Sequence, residues 1–257
     1  MIDITIREKK SFVYNYRESE DLGIANVNID TGMLEEPFLA NKSINELPIK
    51  GKTKPYFMGI TYAPLILNLS FAFLAPWDDE LIREIVQVFH VDYYKPLWFE
   101  DAEDQIFYCM PTAEPRLIHN SLREGYVNLE LRCNDIYGYS RIKNSEYDNF
   151  TSNIRFSNRG DVAIYPEIIF IKDGNTTVDA IIYNTKNEES VIFEGLEDEE
   201  EIYMDNENEI IISNHPITYR YNNHNGIYLK MEQGNNVLSI TGISNLKFRW
   251  QYKTLPG

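Results

Sequence analysis

The side chains that could do chemistry are few and scattered. Four histidines, His90, His119, His215 and His224, stand alone, none at metal-ligand spacing from another His or Cys. The two cysteines, Cys109 and Cys133, lie inside strand-like apolar runs. They read as buried free thiols, with a disulfide allowed but not implied. The run Glu194 to Glu209 holds nine acids and no base. Its core, Asp205 to Glu209 (DNENE), has the composition of a calcium loop but lacks the sixth-position glycine and the distal glutamate of an EF-hand. A hairpin with a solvated acidic turn is the simpler reading, and a weak cation site is the alternative. No GxSxG, Walker-type glycine loop or GxGxxG is present. With 40 acids in the chain, a carboxylate pair at glycosidase spacing carries no information. Phe248, Trp250 and Tyr252 alternate along one strand. Such a face is core in a β-sandwich, and a sugar-stacking platform only if exposed. The sequence therefore assigns no catalytic, cofactor-binding or metal-ligating residue, and no cofactor is expected.

The elements that must position these residues are strands with one exception. Residues 64–139 open with PLILNLSFAFLAP, which places Leu65, Leu67, Leu69, Phe71 and Phe73 on one alternating face. A helix over about 78–90 follows. Asp78 is its N-cap, Trp77 and Ile82 can form a hydrophobic staple, and Asp79 and Glu80 suit the positive end of the dipole. Leu81, Ile82, Ile85, Val86 and Phe89 give the apolar face. LWFEDAEDQIFY reads as strand, acidic turn, strand, and two strand-like runs cover Ile106 to Thr112 and Tyr126 to Cys133.

Composition narrows the function classes. The 257 residues suffice for one large or two modest domains, with a formal net charge of −16. Residues 1–140 carry 22 acids against 13 bases, a formal −9, and the remainder carries −7. Such a surface repels nucleic acid. MIDITIREKK has no signal-peptide core, and no apolar run approaches the roughly 20 residues of a membrane span. The expectation is a soluble protein folded in the cytoplasm, with no membrane partner.

Short strands are predicted around Ile2, Ile4 and Ile6, Phe12 and Val13, and Ile24, Val27 and Ile29. Residues 31–63, rich in Pro and Gly, read as an extended loop or belt, a feature usually functional or interfacial. RIKNSEYDNFTSN is polar and aperiodic, which sets a domain boundary near 140. Beyond it, about ten short strands, PITYRY and GIYLKM among them, and no helix predict a sandwich or jelly roll.

Several motifs then coincide in order. VNLELRCNDIYGYS carries Asp135, Tyr137 and Tyr139, with Ile136 where a proline is usual. FSNRGDVAIYPEIIFI carries Asn158, Gly160, Pro166 and Ile168. EEEIYMDNENEIIIS is followed by YLKMEQGNNVLSITG, with Gly234, Asn236 and Gly242. With these the chain resembles the distal tail proteins of long-tailed, non-contractile bacteriophages. The resemblance implies a mainly β fold: an N-terminal ring-forming tail-hub domain (1–140), sandwich- or barrel-like with one helix, and a C-terminal galectin-like β-sandwich (141–257). It implies a non-enzymatic homohexameric hub at the tail tip, assembled in the host cytoplasm. Its partners would be the tail tube protein, a tail-associated protein and receptor-binding or adhesion proteins. DNA would pass through its bore without specific binding. Acids of the first domain, among Glu35, Glu36 and Asp101 to Asp104, would line that bore, unless the charge serves only solubility. The alternative function is a carbohydrate-binding module using the aromatics of the second domain.

Overall fold

The computed structural model describes residues 11–27, 37–100, 102, 104–148 and 153–256. The chain divides into two compact units, Met1–Tyr139 with Leu255–Gly257, and Ser140–Thr254. The fold is mainly β with one α-helix, as the patterning predicts. Ile2, Ile4, Ile6 and Ile29 lie outside the described residues.

In the first unit, β1 (Phe12–Tyr14), β2 (Arg17–Glu18) and β3 (Ile24–Asn26) precede a hairpin of β4 (Lys42–Leu47) and β5 (Tyr56–Tyr62). Next come β6 (Ile66–Phe73), α1 (Asp79–Phe89), β7 (Lys95–Phe99), β8 (Phe107–His119), β9 (Gly125–Cys133) and β10 (Gly138–Tyr139). Seven strands make one antiparallel sheet, ordered β2-β1-β7-β8-β9-β6-β3. The alternation in β6 does what period-2 patterning dictates. Leu67, Leu69 and Phe71 are buried, as is Leu65 just before the strand. Cys109 and Cys133 face each other directly across β8 and β9 as buried free thiols. The hydrogen bond between them and their burial push the Cys109 thiol well up, so it stays protonated and unreactive.

Helix α1 starts where its cap dictates. The Asp78 carboxylate accepts from the backbone N–H of Glu80 (3.1 Å) and Leu81 (2.8 Å). Ile85 and Val88 are its buried residues. Phe89 stacks on Tyr14 (4.8 Å) and Phe71 (5.5 Å). Here the expected face needs correction: Val86 is 58% exposed. The innermost stripe runs along 81, 85 and 88 at i, i+4 and i+7, and Val86 sits on its flank.

Two further readings of this unit change. Residues 42–62 are not an irregular belt but an antiparallel hairpin. Strand β8 does not stop at Thr112. It runs through Pro111 and Pro115 to His119, breaking register between Thr112 and Arg116, where Ala113 takes a φ of 57°. Proline cannot donate to a ladder, so the pairing yields there.

The second unit contains β11 (Lys143–Asp148), β12 (Ile154–Asn158), β13 (Glu167–Lys172), β14 (Ala180–Asn184), β15 (Glu189–Phe193), β16 (Glu201–Asp205), β17 (Ile210–Ser213), β18 (Gly234–Thr241), β19 (Ile243–Trp250) and β20 (Lys253–Thr254). One sheet runs β11-β19-β13-β16-β17 and the other β12-β18-β14-β15. Phe156, Ile182, Phe193 and Leu238 from the second meet Ile168, Phe170, Met204 and Phe248 from the first in one core. This is a β-sandwich. The polar stretch after Ser140 is not structureless, since β11 pairs along β19. PITYRY and GIYLKM are not strands. Pro216 offers no N–H, Ile217 sits at a φ of 60°, and Tyr221–Asn223 is a 3-10 turn. Residues 228–232 are extended but held largely by buried asparagines. Asn206 accepts from Leu229 N (2.6 Å), and Asn184 donates to the Lys230 carbonyl (2.9 Å). Asn158 donates to the Met231 carbonyl (3.1 Å), and Asn236 accepts from Glu232 N (3.0 Å).

These burials set the response to substitution. Ile85→Ala should cost about 2–5 kcal/mol in chemical denaturation of the full chain, the cost of a core cavity. Val86→Ala, one residue on, should cost less than about 0.5 kcal/mol. Equal losses would show that the helix packs on a different face.

Candidate assembly interface

The residues singled out for chemistry do not converge. His90 ends α1, His119 lies edge-on to Trp77 (5.8 Å), His215 approaches Glu197 (3.3 Å), and His224 packs on Phe193 (4.7 Å). Burial holds the His224 ring below the ordinary histidine pKa. Among the described residues no group of three or more His, Cys, Asp or Glu could hold a metal ion. The Asp205 carboxylate caps its own turn, accepting from the N–H of Glu207 and Asn208 and from the Asn208 amide. Phe248 is buried, with Trp250 and Tyr252 packed against the same core, so the three rings form no open platform.

One member of the acidic run has a role its setting in sequence conceals. Glu200 is fully buried and takes a two-point ion pair from Arg220, with N···O distances of 2.8 and 2.7 Å. It also accepts from the Ser213 hydroxyl (2.6 Å) and the Glu197 N–H (2.9 Å). Burial pushes its carboxyl up, but these donors outweigh burial and hold it below the ordinary glutamate value. The pair pins the loop after β17 to the acidic run. Nothing in the local pattern separates Glu200 from its eight exposed-looking acidic neighbours.

The unpartnered surface of the first unit is the β4–β5 hairpin. All six residues of β4 are exposed, and all of β5 except Gly59. Pairing runs from Lys42–Tyr62 through Ile44–Ile60 to Asn45–Gly59, then slips so that Glu46 faces Phe57. Met58 is the extra residue of a bulge, and Gly59 takes a φ of 144°, closed to side-chain-bearing residues. With that register, Ile44, Phe57, Ile60 and Tyr62 share one face with Lys42 and Glu46. Ser43, Asn45, Leu47, Tyr56 and Thr61 share the other, where the Asn45 amide donates to the Thr61 hydroxyl (3.0 Å). The first face carries four large apolar side chains, and among the described residues nothing covers it: Phe57 is 59% exposed. A two-stranded sheet alone is marginal in water, and an exposed apolar patch of this kind is a candidate contact surface. The tip is basic. Lys50, Lys52 and Lys54 are exposed there, Lys42 stands at the base, and Glu46 is the one acid of 42–62.

A second apolar feature lies under α1. A groove of about 400 Å³ opens between the helix and β6, β8 and β9, lined by Ile82, Val86, Phe89, Pro111 and Val127 among others. Among the described residues His90 is its only polar side chain. The register break in β8 forms part of its floor.

Residues 7–135 match the family described as phage tail protein N-terminal domain, and residues 137–250 match its phage tail C-terminal domain. The SPbeta prophage-derived uncharacterized protein YomH of Bacillus subtilis (strain 168) is 31% identical over 256 residues, 97% of this chain and 100% of the relative. The chain belongs to this phage tail protein family. In fold it is similar to the SPP1 Dit protein, described as a paradigm of the hub adsorption apparatus in phages infecting Gram-positive bacteria. The TM-score is 0.68 at 12% identity, over 94% of this chain and 98% of that one. A chain of the activated phage P2 baseplate with Ca matches at 0.51 and 6%, over 95% and 98%. The resemblance to distal tail proteins therefore holds at the level of family and fold.

The Glu200–Arg220 pair makes a checkable pH signature. A carboxyl held low in the folded state contributes stability in full above its unfolded pKa, about 4.3, and loses it as pH falls through the lower folded value. Arg220→Ala leaves a buried carboxylate unpaired and should cost roughly 3 kcal/mol at pH 7. That penalty should shrink below about pH 4, where Glu200 can take a proton. Urea titrations at pH 7 and pH 3.5 would show it, and a pH-independent penalty would contradict the pairing.

Proposed function

We propose that the protein is a distal tail hub: a homohexameric ring formed by the first unit, continuing the tail tube and carrying no catalysis. The observation that carries this reading is the uncovered apolar face of the β4–β5 hairpin. A cyclic ring needs a heterologous contact, one patch meeting a different patch on the next copy, and a projecting hairpin supplies one half of it. The family and the fold support the reading. In it the second unit is a galectin-like sandwich that presents a platform to receptor-binding or adhesion proteins, while the ring meets the tube protein and a tail-associated protein. The protein would be assembled in the host cytoplasm and end in the virion tail tip. DNA would pass without being held, because the chain is acidic. Asp104 is an exposed acid available to the bore. Glu35, Glu36, Asp101 and Glu103 lie outside the described residues. No observation favours the carbohydrate-binding alternative, since Phe248 of its proposed platform is buried.

Native mass measurement of the full chain, alone and with the tube protein, should give a closed hexamer. Ile44→Asp on the hairpin should abolish it, whereas Ile212→Asp on the exposed side of β17 should leave it intact. A strict monomer in both settings, or loss of the ring with Ile212→Asp alone, would overturn the assignment. The full chain should also fail to retain duplex DNA at low salt.

A further inference from the structure

We infer that the groove beneath α1 is the seat of the β4–β5 hairpin of a second copy of this chain. This rests on the ring reading and goes beyond it by naming both halves of the contact.

Three observations carry it. The first is a match of unfilled surfaces. Among the described residues the hairpin face of Ile44, Phe57, Ile60 and Tyr62, which also bears Lys42 and Glu46, is exposed, and an apolar recess lies open under α1. No hairpin residue lines the recess. Contact between the two on different copies is heterologous, as a ring requires. The second is the wall chemistry. A small-molecule pocket fixes its ligand with a few convergent polar groups. Among the described residues this groove has His90 as its one polar side chain, the rest of its polarity coming from backbone groups, so it suits apolar side chains delivered by a scaffold that satisfies its own backbone. A hairpin is such a scaffold, because its ladder bonds are already made.

The third is charge. The hairpin gathers four of the 13 bases in residues 1–140 into 21 residues that hold one acid. The helix over the groove carries Asp78, Asp79 and Glu80 at its exposed N-terminal end, and Asp92 is exposed just past its C-terminal end. Arg83 is the helix's one base. Apolar strands with a lysine tip therefore meet an apolar groove with acidic ends. Charge of this kind sets orientation and speeds encounter, while the buried apolar contact supplies the affinity. Val86 then has a use. It sits exposed on the flank of the inward stripe, and it lines the groove where an incoming side chain would lie.

The test is cross-linking of the full chain. Ile60→Cys and Val86→Cys both alter exposed positions, and the native thiols are buried, so an aqueous oxidant reaches the introduced pair. The double variant should give a covalent ladder up to the ring. An equal mixture of the two single variants should give dimers, and each single variant neither. A disulfide formed within one chain would overturn the inference, because the hairpin would then seat in its own groove. Charge substitution is the second arm. Val86→Asp and Phe57→Asp should each raise the subunit dissociation constant by on the order of a hundredfold while keeping the wild-type melting behaviour of the monomer. An intact hexamer with no ladder, unaffected by Val86→Asp, would overturn the inference and leave the ring reading standing. A strict wild-type monomer would overturn both.

Discussion

The constraint on which the rest of this structure depends is that every buried backbone N–H and C=O must find a partner. In the second unit the sheets cannot meet it everywhere. Residues 228–232 cross the sandwich largely without a ladder, and asparagine amides stand in for the missing strand. Asn158, Asn184, Asn206 and Asn236 are all at most 2% exposed. Two of them are also joined, since the Asn184 amide donates to the Asn236 side-chain oxygen at 3.1 Å. Asparagine suits the task because one side chain both donates and accepts, as a peptide group does. The same rule explains Arg220: a loop that cannot pair with a strand is anchored through a buried glutamate instead.

This is also why the motifs were legible before the structure. Asn158, Gly160, Pro166 and Asn236 mark places where a backbone group is met by something other than a neighbouring strand. The Asn158 carbonyl oxygen accepts from Gly160 N, and Pro166 lends its carbonyl to Asn206. Gly242 sits at a φ of 67°, where a Cβ would lie 2.2 Å from the Asp179 carbonyl oxygen. Turn-and-cap chemistry fixes residue type tightly, so it survives as a readable pattern even where strand composition drifts. Periodicity served well where one face was buried, as in β6 and α1.

Periodicity failed where burial could not write it. The β4–β5 hairpin is exposed on both faces in a single chain, and its bulge at Met58 breaks the alternation of β5. Prolines and glycines at the tip then resemble an irregular loop. From length, proline and glycine alone the region reads as a functional or interfacial loop. The apolar stripe appears only once the register is known, because Phe57 joins Ile44 and Ile60 by virtue of the slip. PITYRY failed for the opposite reason: alternating β-favouring residues suggested a strand, but Pro216 and the left-handed Ile217 divert the backbone. Glu200 shows a third kind of failure. Burial of one acid among nine is decided by a residue 20 positions away, and no local pattern records that.

Charge sets the remaining balance. Each copy bears a formal −16, so copies brought together in the proposed ring would repel one another over distance. At physiological salt the screening length is about 8 Å, which removes most of that long-range cost. It leaves the contacts made within that length largely intact. A lysine-bearing hairpin on an acidic chain is then the economical arrangement, because it places attraction where screening is weakest and leaves repulsion where screening is strongest. The two halves respond to salt in opposite senses. At low ionic strength self-repulsion opposes the ring, and at high ionic strength the lysine contacts fade while apolar burial persists. In the proposed ring an apolar hairpin face would therefore drive assembly while charge chooses orientation, and low and high salt would each weaken it for a different reason.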